Sequence, residues 1–124
     1  MQVYVPLNTP HTHYRCSAFA LAVAQVLQRA SPDSVTATMA KAVRPGKIFV
    51  DWSQNSRHKT TIAVYSVRAR PHPTVSTPVT WDEVEAAAEG EPLAFETADV
   101  LDRVDEMGDL FADTLTITQR LPTT

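Results

Sequence analysis

The sequence predicts an α+β fold, an antiparallel sheet with packed helices, and three observations carry that expectation. Segments with strand character outnumber those with helical periodicity, and the two kinds do not alternate as a βαβ architecture requires. Two strand-like segments, residues 47–52 and 60–67, are joined by a polar connection through residues 54–58 that suits a hairpin with a longer loop. The length of 124 residues, with 44% hydrophobic and 20% charged side chains, fits one globular domain. That composition excludes collagen, coiled coil and wholesale disorder.

Each element follows from local pattern. Residues 2–7 read as a strand, with Val3 and Val5 on one face and Tyr4 on the other. A Pro-His-Thr-His turn follows. Cys16, Phe19, Ala20, Val23, Val26, Leu27 and Ala30 then recur at spacings of three and four, one apolar stripe on a helix of about four turns. Ser31-Pro32-Asp33 ends it. Residues 35–39 form a short Thr-containing strand candidate. Arg44-Pro45-Gly46 signals a turn, and residues 47–52 make the next strand. There Ile48, Val50 and Trp52 share one face, and Lys47, Phe49 and Asp51 the other. Residues 60–67 are expected to pair back on it. Three prolines between Arg70 and Pro78 enforce an extended path with little regular structure. Thr80 and Glu83 have capping-box spacing for a short helix reaching about Ala88. Val100, Leu101, Val104 and Met107 stripe a last helix that Gly108 stops.

Composition also bounds location and chemistry. No stretch approaches the 18 or more apolar residues of a membrane span. The first residues lack the basic region and cleavage site of a signal peptide. A single cysteine, Cys16, excludes an internal disulfide and a Cys-rich zinc site. A cytoplasmic protein without a membrane partner is expected. The net charge of −3 hides a partition. Residues 41–70 hold seven basic side chains against one acid, a local balance of +6, whereas residues 81–113 hold twelve acids against Arg103 alone, a balance of −11. The basic block suits phosphate and the acidic block repels it, unless both are simply solvated faces.

Within the basic block Asp51 stands out, at the end of an apolar strand and just before a polar, basic loop. A carboxylate there is either a structural salt bridge to a nearby arginine or a divalent-metal ligand beside bound phosphate. Lys47 lies about 13 Å away along an extended strand, too far to pair with it. Arg68 and Arg70, two apart at a strand end, would point to one side and clamp phosphate, or else form a charged edge. Gln54, Asn55 and Ser56 could hydrogen-bond a nucleotide, though any turn can contain them. Arg44, Lys47, Arg57 and Lys59 suit a nucleic-acid backbone. His11 and His13 are loop histidines without a Cys or Glu partner nearby, Cys16 reads as inert core, and Trp52 and Trp81 read as packing residues. No Walker loop, dinucleotide fingerprint or nucleophile elbow is present.

Longer stretches carry a resemblance. Residues 38–55 (Thr-Met-Ala-Lys-Ala-Val-Arg-Pro-Gly-Lys-Ile-Phe-Val-Asp-Trp-Ser-Gln-Asn) are similar to the polymerase domain of bacterial DNA ligase D, a member of the archaeo-eukaryotic primase superfamily. Residues 59–70, 74–78 with Thr80-Trp81, and 108–122 continue it, so it covers nearly the whole chain. The resemblance implies a partial primase-polymerase fold related to RNA-recognition motifs. It also implies nucleotide addition at broken DNA ends in non-homologous end joining, with DNA ends and nucleoside triphosphates as partners. The implied cofactor is Mn2+ or Mg2+, with manganese preferred, and ribonucleotides are often the substrate. In this family three aspartates hold the catalytic metals. Asp51 matches the third, as catalytic and metal-binding residue; Gln54 and Arg68 match nucleotide-binding positions, with Arg70 added; Arg44 lies in the loop that approaches the DNA end.

The pattern also departs from the family. Its Asp-x-Asp pair and its Ser-Gly-x-x-Gly triphosphate motif are expected upstream of residue 1, and no Asp-x-Asp occurs in the 124 residues. Residues 1–124 therefore read as a single domain, the C-terminal portion of a polymerase domain that lacks two of three catalytic aspartates and is inactive alone. A separate N-terminal half, or a homodimer, would complete its surface. The alternatives are a non-catalytic nucleic-acid-binding module, a structural partner acting through acidic helices, or a gene remnant.

Overall fold

The computed structural model describes residues 1–122, in two compact units. One comprises Thr9–Thr61 with residues 120–122; the other comprises Met1–Asn8 with Ile62–Gln119.

The first unit is built on helix α1 (His13–Ala30). Thr12 caps it by accepting the Arg15 N–H at 3.1 Å, and Ser31 closes it by donating to the Leu27 carbonyl at 3.0 Å. The buried line of α1 is centred on Ala24, with Cys16, Ala20, Leu21 and Gln28 part-buried beside it. The expected stripe is therefore only partly buried: Phe19, Val23, Val26 and Leu27 remain exposed. The small side chain of Ala24 lets the chain that follows approach closely, so this face, rather than the bulkiest one, is covered.

Strands β1 (Val35–Thr36) and β2 (Ile48–Phe49) pair in parallel, Val35 with Ile48 and Thr36 with Phe49. Ile48 N–H donates to Ser34 O at 2.7 Å and Val50 N–H to Thr36 O at 3.0 Å. The expected antiparallel sheet is thus corrected. The connection includes the 3-10 turn Lys41–Val43 and the turn at Gly46, whose φ of +73° favours glycine. It spans residues 37–47, long enough to bring the chain back in the same direction. Gln28 of α1 accepts the Ala37 N–H at 2.6 Å, and the Trp52 indole donates to Ala37 O at 3.1 Å. These two bonds tie helix, sheet and the 3-10 turn Trp52–Gln54 together.

The second unit shows why no hairpin joins residues 60–67 to β2. Tyr65 takes φ +65°, a left-handed conformation that interrupts an extended run. The segment turns instead onto the proline-rich stretch: Tyr65 N–H donates to Ser76 O at 2.7 Å, Arg68 N–H to Thr74 O at 2.8 Å and Ser76 N–H to Ser66 O at 2.9 Å. Val67 and Val75 form an isolated antiparallel bridge. Residues 2–7 form no strand. They are held by Gln119, whose N–H donates to Leu7 O at 2.8 Å, and by an edge-to-face contact of Tyr4 on Phe111 with centroids 5.2 Å apart.

Helix α2 (Trp81–Ala88) opens on the expected capping box: Thr80 Oγ1 accepts the Glu83 N–H at 3.2 Å, and Glu83 accepts the Thr80 N–H at 2.9 Å. Helix α3 (Thr97–Met107) begins one turn earlier than its apolar stripe and stops at Gly108, φ +71°. Val75 and Val100 are its buried centre. Arg103 binds α3 to α2 through an ion pair with Glu83, lies 4.3 Å over the Phe95 ring and donates to Pro78 O at 3.0 Å.

Candidate functional site

Asp51 follows β2 and caps the 3-10 turn Trp52–Gln54. Its carboxylate accepts three hydrogen bonds: from Ser53 Oγ at 2.6 Å, Ser53 N–H at 3.2 Å and Gln54 Nε2 at 3.0 Å. These use three of about four acceptor positions on a carboxylate. The Ser53 hydroxyl, followed by Gln54, the Ser53 N–H and the charge of Lys59, holds the Asp51 carboxyl below its ordinary pKa against a modest desolvation that opposes them. Asp51 is therefore an oriented, ionised and exposed carboxylate. The alternative of an arginine salt bridge is not what forms: among the described residues no basic group lies within ion-pair distance of it.

The cations around Asp51 are arranged unevenly. Arg44 is part-buried, with its guanidinium 4.3 Å over the Phe49 ring and donating to Met39 O, while its Nε is buried without a partner. It is pinned rather than free. Lys47, Arg57 and Lys59 are exposed. Gln54, expected to face a nucleotide, spends its amide on Asp51. All of these belong to the first unit.

Arg68 and Arg70 belong to the second unit and are both exposed. Arg68 leaves the Val67 bridge, but Arg70 sits in a bend, its N–H donating to Arg68 O at 3.0 Å. Strand alternation therefore does not set the direction of its side chain.

Among the described residues no three His, Cys, Asp or Glu side chains come together to hold a metal ion, so this chain's donor set does not by itself fit one. The same finding disposes of His11 and His13; His11 Nε2 accepts the Leu121 N–H at 3.3 Å. Sequence reasoning passed over Ser53. Its signal was present, because Asp-x-Ser is an N-cap pattern in which Asp reaches the amide two residues on. It also passed over Tyr65, which donates to Asp109 beside an open groove of about 440 Å³ lined by Val67, Val75, Val100, Leu101 and Val104. No sequence signal marks that pairing, because the partners lie 44 residues apart.

Residues 1–111 match the family model of the LigD primase-polymerase domain. The chain is similar to the multifunctional non-homologous end joining protein LigD of Mycolicibacterium smegmatis, 54% identical over 112 residues, covering 90% of this chain and 14% of that protein. It is also similar to the LigD of Mycobacterium tuberculosis H37Rv, 47% identical over 110 residues, covering 89% of this chain and 14% of that protein. With the bifunctional LigD of Bacillus subtilis it shares 30% identity over 114 residues, covering 91% of this chain and 18% of that protein. Among solved structures it resembles the polymerase domain from M. tuberculosis ligase D in complex with DNA, with a TM-score of 0.83 and 44% identity. That likeness covers 92% of this chain and 39% of the solved one. The chain thus spans about a seventh of the length of the mycobacterial relatives it matches.

Proposed function

Because this chain belongs to the family of LigD primase-polymerase domains, we propose that it is part of a DNA-end-processing primase-polymerase, acting as the C-terminal portion of the polymerase domain in non-homologous end joining. The observation that carries this reading is the family match across residues 1–111, which takes in every residue proposed for the site. The reaction joins a DNA 3′-hydroxyl oxygen to the α-phosphorus of a nucleoside triphosphate and releases pyrophosphate. Asp51 supplies one catalytic carboxylate, pre-oriented by Ser53 and Gln54. Arg68 and Arg70 bind the nucleotide, and the exposed Lys47, Arg57 and Lys59 bind the DNA backbone.

Two-metal phosphoryl transfer requires carboxylates that bridge ions about 4 Å apart. Asp51 alone does not meet that requirement, so use of manganese or magnesium depends on carboxylates from the part of the domain that this chain does not match. By itself the chain binds DNA without transferring nucleotides. The cytoplasm, where DNA ends are repaired in bacteria, is its location under this reading. No helix among the described residues is long and apolar enough to cross a membrane.

The experiment mixes the chain with a gapped DNA end, manganese and nucleoside triphosphates, with and without the unmatched portion of the M. smegmatis polymerase domain. Addition is expected only in the mixture and is abolished by Asp51→Asn. DNA binding by the chain alone should fall with salt at a log–log slope of about −3 to −4, for three or four phosphate contacts. Addition by the chain alone that survives Asp51→Asn refutes the assignment. A second reading, a non-catalytic nucleic-acid-binding module, is favoured by the exposed Lys47, Arg57 and Lys59 together with the lack, among the described residues, of a three-ligand metal cluster; salt-sensitive binding with no transfer in the mixture supports it.

A further inference from the structure

Helix α1 carries more apolar surface than its own unit covers. At 100° per residue, Phe19, Val23, Val26, Leu27 and Ala30 fall on one flank, beside the buried line through Ala24. Phe19 is 36% exposed, Val23 41%, Leu27 45% and Val26 55%. No charged side chain interrupts this flank; Arg15 and Arg29 lie beyond it. A surface helix normally turns its polar side outward, so a bare apolar flank continuous with a buried one marks a missing neighbour.

The sheet in the same unit is also incomplete. It consists of two strands of two residues each, paired in parallel, with Ile48 69% exposed. Parallel strands occur with both faces covered, and a two-stranded pair is not independently stable. Two elements of one unit thus lack cover.

We propose that the outer flank of α1, Phe19-Val23-Val26-Leu27, is a docking surface for the portion of the LigD-type polymerase domain that this chain does not match. The inference rests on the proposed function and adds to it the surface through which the two portions join. The occupant follows from the comparison: the chain aligns closely, at a TM-score of 0.83, with 39% of a solved polymerase domain, so most of that domain lies outside the matched part. A polypeptide that supplies the rest of the fold is the partner that an uncovered apolar flank on the matched part calls for. A second copy of this chain would repeat the matched part and leave the rest of the domain unsupplied.

The test uses the full chain and, as probe, the purified unmatched portion of the M. smegmatis LigD polymerase domain, with binding followed by sedimentation velocity and titration calorimetry. The perturbation is the double variant Val23→Glu/Val26→Glu. Both sites are exposed, and Glu is a better helix former than Val, so α1 should persist, which circular dichroism verifies. Gln25→Glu, outside the apolar flank, is the control for added charge. The wild-type chain and the control should form a 1:1 complex, and the double variant should bind at least tenfold more weakly. Equal binding by the double variant overturns the proposal, and so does failure of the folded wild-type chain to bind the probe. A concentration-dependent dimer of the chain alone that the double variant abolishes also overturns it, in favour of a second copy. A complex that forms through this flank yet transfers no nucleotide leaves the docking surface standing and refutes the catalytic reading instead.

Discussion

The ion pair between Arg103 and Glu83 should make the second unit sensitive to acid in a way that one substitution removes. Arg103, together with the Thr80 N–H and hydroxyl, pulls the Glu83 carboxyl from its ordinary 4.5 down to about 2, against a smaller desolvation that opposes them. Both side chains are mostly covered, 14% exposed for Arg103 and 28% for Glu83. A depressed carboxyl pKa contributes stability that is present above the unfolded value and lost as pH falls toward the folded one. The window therefore runs from about pH 4.5 to pH 2. At about 1.4 kcal/mol per pKa unit the full depression corresponds to about 3 kcal/mol; water at the open side of the carboxylate screens part of it, leaving about 2 kcal/mol. The perturbation is Glu83→Gln, which keeps an acceptor for the Thr80 N–H but removes the charge. Urea unfolding of both proteins at pH 7, 5, 4, 3 and 2.5 measures the difference. The wild-type protein should be the more stable at pH 7, and the gap should close as pH falls through the window. Because the other carboxyls titrate in both proteins, only the difference reports on Glu83. A gap that stays constant from pH 7 to pH 2.5 would show that the Arg103 contact does not set the Glu83 pKa.

Two further outcomes follow from local geometry. Ser53→Ala removes the hydroxyl that contributes most to lowering the Asp51 pKa, so the Asp51 carboxyl should titrate at higher pH, as carbon-detected NMR measures; an unchanged midpoint would contradict the hydrogen-bond assignment. The Tyr65 phenol, pushed up to about 12 by desolvation and its bond to Asp109, should give an ionisation step near that pH in an ultraviolet titration, and Tyr65→Phe should delete the step. Its neutral form is the one stabilised, so that contribution is complete below pH 10 and fades as pH rises toward 12; loss of about 1 kcal/mol in Tyr65→Phe at pH 7 is expected.

Local chemistry was legible in the residues alone. The end of α1 at Ser31, the Thr80–Glu83 capping box and the stop at Gly108 each depend on hydrogen bonds or backbone angles spanning three or four residues. Sequence spacing reports such contacts directly. Asp51 was legible for a related reason, since an acid placed between an apolar strand and a basic loop is unusual at any level of structure. The resemblance carried in residues 38–55 likewise pointed to the family that the comparisons identify.

What the tertiary structure decided was partnership. Residues 47–52 read as a strand, but nothing in their pattern tells whether the neighbour arrives parallel from residues 35–36 or antiparallel from residues 60–67. The ladder from Ser34 and Thr36 settles it, and the left-handed Tyr65 diverts the other candidate to Val75. The same holds for α1, whose apolar sector is wider than one neighbour can cover; the close approach to Ala24, not side-chain bulk, selected the buried side. At the site, spacing located Asp51, while the bonds from Ser53 and Gln54 that orient it appear only once the chain turns after β2. Periodicity records which side chains prefer burial, and the hydrogen bonds between distant segments determine what buries them.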